Sequence, residues 1–245
     1  PQQYISYVTG LVKGDLGTSL RTKRPVLTEV QGRYMNTVQL TLLSLTWSVI
    51  AGVLIGVWSG RNRSKWQDYT GMTVAVSGIS MPSFWIGFML IMVFAVKYRL
   101  LPTTGAGSFK NLILPSITLG VSIAAIIARF TRSSVIEVLK EDYVRTARAK
   151  GLREKTVIWK HVFRNCMISV VTVVGLQFGF LLGGSVVTET VFAFPGLGSL
   201  LIESVNYRDY PAIQSLILIF SLHFVLINLV VDVLYAVLNP EIQLS

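Results

Sequence analysis

The sequence predicts an all-α, polytopic transmembrane bundle, and three observations carry the prediction. Of 245 residues, 52% are hydrophobic and only 14% charged, against about 25% charged in a soluble domain. Five stretches stay apolar for about 20 residues, the length a helix needs to cross roughly 30 Å of hydrocarbon. The basic residues gather in the connections between those stretches, where they bear on topology rather than on nucleic acid. Each span must be helical, because a lone strand would leave its backbone groups unpaired in lipid.

The whole chain, 1–245, reads as a single transmembrane domain. Residues 1–37 are expected as an external segment, and the first span covers about 38–59. The second, about 69–96, contains "SGISMPSFW", where Pro82 must kink or break the helix. The third covers about 112–130, with Pro115 near its start, where a missing N–H does least harm. The fourth covers about 167–192 and the last about 212–238.

Orientation follows from the connections. One holds Arg61, Arg63 and Lys65, and the other, 132–165, holds nine Lys or Arg against four acids. Both are expected on the cytoplasmic side, which places 97–111 and 193–211 outside and the C-terminus inside. Residues 1–37 then fall outside despite carrying Lys13, Arg21, Lys23, Arg24 and Arg33. That conflict predicts one further span before Pro1.

Two spans carry glycine at every fourth position: Gly52, Gly56 and Gly60, then Gly175, Gly179 and Gly183. Each stripe lies on one helix face and admits a second backbone at close range, either from this chain or from another membrane subunit. The run "EDYVRTARAKGLREKTVIWKHVFRN" (141–165) stands out in so apolar a chain. About 138–150 suits a helix, with Glu141 and Asp142 near its start, bases toward its end and Gly151 as a left-handed stop. Residues 152–165 suit a second helix feeding the fourth span. The first helix would lie crosswise beneath the membrane. Its small residues Thr146, Ala147 and Ala149, flanked by Tyr143 and Arg145, would suit a groove in another protein. Equally, the run could be a solvated loop that only sets topology.

"EDYVRTARAKGL" with "HVFRN" resembles the cytoplasmic coupling motif of binding-protein-dependent ABC importer permeases of the dipeptide, oligopeptide, glutathione and nickel branch. "GDLGTSLRTKRPV", "SMPSFWIG", "LPTTGAG", "ILPSITLG", "GLQFGFLLGGSVVTETVFAFPGLGSLL", "RDYPAIQ" and "NLVVDVLYAVLNPEI" are similar to that branch in the same order. The likeness is closest to small-peptide and glutathione permeases. It implies a type I ABC importer permease fold with a coupling helix spanning Glu141, Asp142, Tyr143, Arg145, Thr146, Ala147, Lys150, Gly151 and Leu152, seated in a cleft of a cytoplasmic ATPase. It also implies a second homologous permease subunit, two ATPase subunits that use ATP and Mg, an external solute-binding protein and a peptide substrate, in a bacterial inner membrane. Two departures stand out. The general motif has Glu-Ala-Ala, three variable residues and Gly, where this chain has Arg145, Thr146 and Ala147 before Gly151. His161 and Arg164 stand where the wider family has an apolar residue and Pro.

No catalytic, metal or cofactor site is expected in this chain. Its single cysteine, Cys166, and two histidines, His161 and His223, form no ligand cluster. No glycine loop precedes a Lys-Ser or Lys-Thr pair, so ATP hydrolysis falls to partners. Asp232 and Glu189 lie near the ends of spans and are read as structural, Asp232 paired with Arg129 or Arg132. His223, Gln177 and Asn228 are read as bonding across helices, and "FPGLGSL" (194–200) as an external turn and part of an outer gate. The alternatives are a nickel-chelate importer of the same branch, or a secondary transporter or channel with no ATPase partner.

Overall fold

A computed structural model of the chain describes residues 9–11 and 14–238, without the side chains of residues 168, 182, 184, 232 and 234–238. The first long helix, α1, runs Val26–Arg61, 36 residues or about 54 Å at 1.5 Å per residue. That exceeds a bilayer core, so the helix extends well beyond the predicted 38–59 and draws residues 26–37 into the bundle. α4, Phe109–Val138, likewise outruns the predicted 112–130. Its start at Phe109 puts Pro115 inside the helix, where the carbonyl four residues back loses its partner. Together with the last helix, α9 (Tyr210–Leu238), these are long and apolar enough to cross a membrane, and two bent helix pairs raise the number among the described residues to as many as five.

The second predicted span is broken rather than kinked. α2 (Trp66–Ser80) and α3 (Ser83–Leu90, continued by a π-helical stretch Ile91–Lys97) meet at 103°. Proline disfavours the helical conformation in the residue before it. Met81 accordingly sits at φ −91°, ψ 130° and Pro82 at φ −59°, ψ 137°. Two consecutive extended residues redirect the chain at mid-helix.

After α4 a turn leads into α5, Asp142–Ala149. A short α6 (Glu154–Thr156) and a π-helical stretch (Val157–Phe163) then feed α7 (Arg164–Val191), which is bent by 47° near residue 168. α8 (Leu197–Asn206) precedes α9.

Glycines let α1 and α4 touch backbone to backbone. A Cβ on Gly52 would fall 2.7 Å from the Ala124 carbonyl oxygen, on Gly56 2.6 Å from that of Ala128, and on Gly60 2.8 Å from the Val135 side chain. The seam also carries hydrogen bonds, from Trp47 Nε1 to the Ser116 carbonyl (3.0 Å) and from Ser48 Oγ to the Gly120 carbonyl (2.8 Å). Gly175 and Gly179 pack against Val231 and Phe224 of α9, whereas Gly183 faces open space. Because Gly60 meets Val135 and Arg132 pairs with Asp68, the basic connection after α1 and the basic run after α4 share one end of the bundle. α8 and residues 16–25 occupy the opposite, far end, with their own apolar cluster of Val26, Val30, Leu197, Leu200, Ala212 and Leu216.

Candidate functional site

At the basic end, α5 is held as a rigid projection. Its inward face is Val144 and Ala147, 0% and 6% exposed, three residues apart and so on one side of the helix. Both enter the main apolar cluster with Val157, Ile158, Val162, Cys166 and Val135. Ala147 is therefore under the helix, not on the docking surface expected for it; the apolar neighbour at 144 turns that face inward. The helix also starts later than the predicted 138, because Leu139–Glu141 form the turn off α4. Glu141 precedes the first turn in extended conformation (φ −64°, ψ 143°).

The far terminus of α5 is closed by its backbone. Gly151 has φ +75°, its N–H bonds the Arg148 carbonyl (2.9 Å), and the Leu152 N–H reaches back to the Ala147 carbonyl (3.4 Å). This paired closure requires a left-handed residue, which glycine supplies without strain. Arg148 then forks onto Glu154 (2.8 and 3.2 Å), tying α5 to α6. Asn165 Nδ2 donates to Tyr143 Oη (2.9 Å) and to the His161 carbonyl (2.8 Å), tying α5 to α7.

What remains outward is Glu141, Asp142, Tyr143, Arg145, Thr146, Arg148, Ala149 and Lys150, with Gly151 and Leu152 beyond the turn. Arg145 reaches Asp142 at 3.4 Å with both side chains largely in solvent, so the pair contributes little. In the π-helical stretch that α5 packs against, Trp159 is 48% exposed and tilts against Phe163. Sequence reasoning missed Trp159, Asn165 and Glu154. The apolar Val144 amid charged neighbours was the signal available.

Above α5, Arg132 makes a two-pronged bond to Asp68 (Nε 2.5 Å, Nη2 2.7 Å), and Asp68 also accepts the Ser64 N–H (3.1 Å). Asp68 is 3% exposed, so this pair fixes α2 to α4. Arg132 is thus engaged by Asp68, while the side chain of Asp232 lies outside the described residues.

At the far end, Glu189 is fully buried and caps α8 in place of the side chain that Gly196 lacks. It accepts from Thr37 Oγ1 (2.8 Å) and the Ser199 N–H (2.9 Å), while the Leu197 N–H bonds Thr37 Oγ1 (2.8 Å). A Cβ at Gly196 would collide with the Glu189 carboxylate. The "FPGLGSL" stretch is thus a turn followed by a helix start wrapped on one carboxylate. Asn36 Nδ2 holds the Pro195 carbonyl (2.8 Å).

Two further acids pin the same end. Arg33, ahead of Arg21, draws the Glu203 carboxyl below its ordinary pKa against the effect of burial. Burial pushes Asp209 up, but the Ser19 hydroxyl and the N–H groups of Leu20, Arg21 and Ala212 outweigh it and leave its pKa lowered. His223 bonds Tyr34 Oη through Nε2 (2.6 Å) and the Ile219 carbonyl through Nδ1 (2.8 Å), joining α9 to α1.

Residues 52–244 match the family described as binding-protein-dependent transport system inner membrane component. The chain belongs to that family. It is 55% identical over 243 residues to the glutathione transport system permease protein GsiC of Pectobacterium atrosepticum, covering 99% of this chain and 79% of that one. It is 56% identical over 241 residues to GsiC of Escherichia coli K12, covering 98% and 79%. Among solved structures it resembles the inward-facing MetNI methionine ABC transporter (TM-score 0.74, 18% identity, 86% of this chain and 96% of that one). A second likeness is to an amino acid ABC transporter with histidines (TM-score 0.67, 16% identity, 84% and 92%). At such identities the structures establish a shared fold.

Proposed function

We propose that this chain is one permease half of an ATP-driven importer for small peptides, with glutathione as the first candidate, and that α5 is its coupling helix. The observation that carries the coupling assignment is the construction of α5: Val144 and Ala147 buried against the start of α7, the outward face turned to solvent, and both termini locked. A projection anchored this way transmits force to α4 and α7 instead of absorbing it. Gly151 and Leu152 close the helix, while Tyr143, Arg145, Thr146 and Lys150 meet the ATPase.

The basic end and the C-terminus are cytoplasmic, consistent with the Lys and Arg excess there. A second, homologous permease completes the pathway, two ATPase subunits supply ATP and Mg chemistry that this chain lacks, and an external solute-binding protein delivers the peptide. Transport is by alternating access, each ligand biasing the two states only by its difference in affinity for them. The glutathione assignment rests on the curated relatives. In proteoliposomes holding the complete complex, ATP-dependent glutathione uptake is expected. Uptake that persists without the ATPases would instead favour a secondary transporter.

A further inference from the structure

A cavity of about 650 Å³ opens between the outer part of α1, the loop before α4 and the first residues of α4. Its walls are largely apolar (Leu42, Phe109, Phe194); its polar side chains are Asn36, Gln39 and Thr46 of α1 and Ser108 of the loop, whose hydroxyl is engaged by Asn111 Oδ1 (2.6 Å). Asn36 and Gln39 are three residues apart and share one helix face. Thr46 Oγ1 is spent on the Leu42 carbonyl (2.7 Å) and Asn36 Nδ2 on Pro195 (2.8 Å). Gln39 is exposed and bonds to none of the described residues, so its amide offers both donors and an acceptor to the space. An unpaired amide is unfavourable against lipid tails and belongs on an aqueous pathway. No charged residue lines the cavity.

We infer that this cavity is an entry station for the transported peptide, in which Gln39, with Asn36 beside it, hydrogen-bonds the peptide backbone. A primary amide pairs donor-to-acceptor with a peptide bond. The ten steps from Asn36 to Thr46 rise about 15 Å, enough for an extended tripeptide of roughly 10 Å. The volume lies within the range of about 300–1,000 Å³ usual for small-ligand sites. Without charges, the station reads backbone and ignores peptide side chains and termini. The inference rests on the importer reading above.

The test uses the complete complex in proteoliposomes with glutathione carrying a radiolabel, and a photoreactive benzoyl-phenylalanine at Leu42, which lines the cavity, or at Ile50, which is similarly exposed on α1 but does not. Capture of the peptide during turnover is expected at position 42 and not at 50. Gln39→Leu is expected to cut that capture about threefold to tenfold, the worth of one hydrogen bond, with Gln39→Asn restoring part of it. Equal capture at both positions, capture of lipid or of the second permease alone at 42, or indifference to Gln39→Leu overturns the station. Absence of ATP-dependent uptake by the unsubstituted complex refutes the importer reading itself, whereas uptake without capture at 42 refutes only the cavity.

Discussion

Replacing Val144 with alanine should loosen the coupling helix without touching its outward face. Val144 is 0% exposed and packs in the cluster that includes Val157, Ile158 and Val162. Removing two buried carbons forfeits about 1.6 kcal/mol of transfer free energy at roughly 0.8 kcal/mol each. Incomplete collapse of the space left adds about 1 kcal/mol. The sum, about 2–3 kcal/mol, falls on the local equilibrium between docked and undocked α5, a shift of about 30-fold to 150-fold at roughly 1.4 kcal/mol per decade. Amide hydrogen exchange across 145–149 reads it directly, as lost protection of that size. Uptake per ATP hydrolysed should fall with it. Arg145→Ala, on the exposed face, should leave exchange within about threefold because exposed pairs contribute little. Unchanged protection in Val144→Ala, or an equal loss in Arg145→Ala, would refute the buried-anchor reasoning.

Gly56→Leu should separate α1 from α4, since even a Cβ would lie 2.5 Å from Thr131 Cβ and 2.6 Å from a backbone oxygen. A cost of about 3 kcal/mol or more is expected, seen as loss of a monodisperse detergent-solubilised chain, while Gly32→Leu, which meets nothing within 4 Å, should be tolerated. Glu189→Ala leaves the Thr37 hydroxyl and the Ser199 N–H without their carboxylate acceptor at a buried site. At about 1–3 kcal/mol per orphaned group, a drop in thermal stability and faster exchange in α8 should follow. For Glu203 and Asp209 the folded pKa is depressed, so their stabilisation is complete above the unfolded values of about 4.3 and 3.9 and is lost as pH falls through the lowered ones. Exchange in residues 18–25, corrected for its intrinsic pH dependence, should therefore stay constant from about pH 5 to 8 and rise only below about pH 4; loosening already at about pH 6 would contradict this.

The presence of long apolar helices and the break at Pro82 were legible because apolar length and proline stereochemistry are local properties; where α1 and α4 begin was not. The size of the break was not, since it took Met81 and Pro82 both adopting extended conformations to reach 103°. The stop at Gly151 was legible for the same local reason, and its φ of +75° follows from it. Ala147 was misplaced because small residues suit docking surfaces and buried faces alike. Val144, one turn before it, separates the two by marking which side of the helix is apolar. The far-end contacts were invisible for a different reason. Ser19 and Asp209, or Thr37 and Glu189, are separated by 190 and 152 positions, and no periodicity in a single sequence links residues so distant. The Asp68–Arg132 pair is another such link. Span ends suggested Asp232 as a partner for Arg129 or Arg132; Asp68, 64 positions before Arg132, holds the Arg132 guanidinium with both oxygens, and the side chain of Asp232 lies outside the described residues.

The proposed coupling role is tested most directly by crosslinking Arg145→Cys in the assembled transporter. Position 145 is 76% exposed, and the chain's single native cysteine, Cys166, is fully buried, so a short bifunctional maleimide acts at one site of this chain. A covalent adduct with an ATPase subunit, its yield changing when ATP is bound, is the expected result. An introduced thiol that reacts freely with water-soluble maleimide in the complete complex but joins no ATPase would contradict the account.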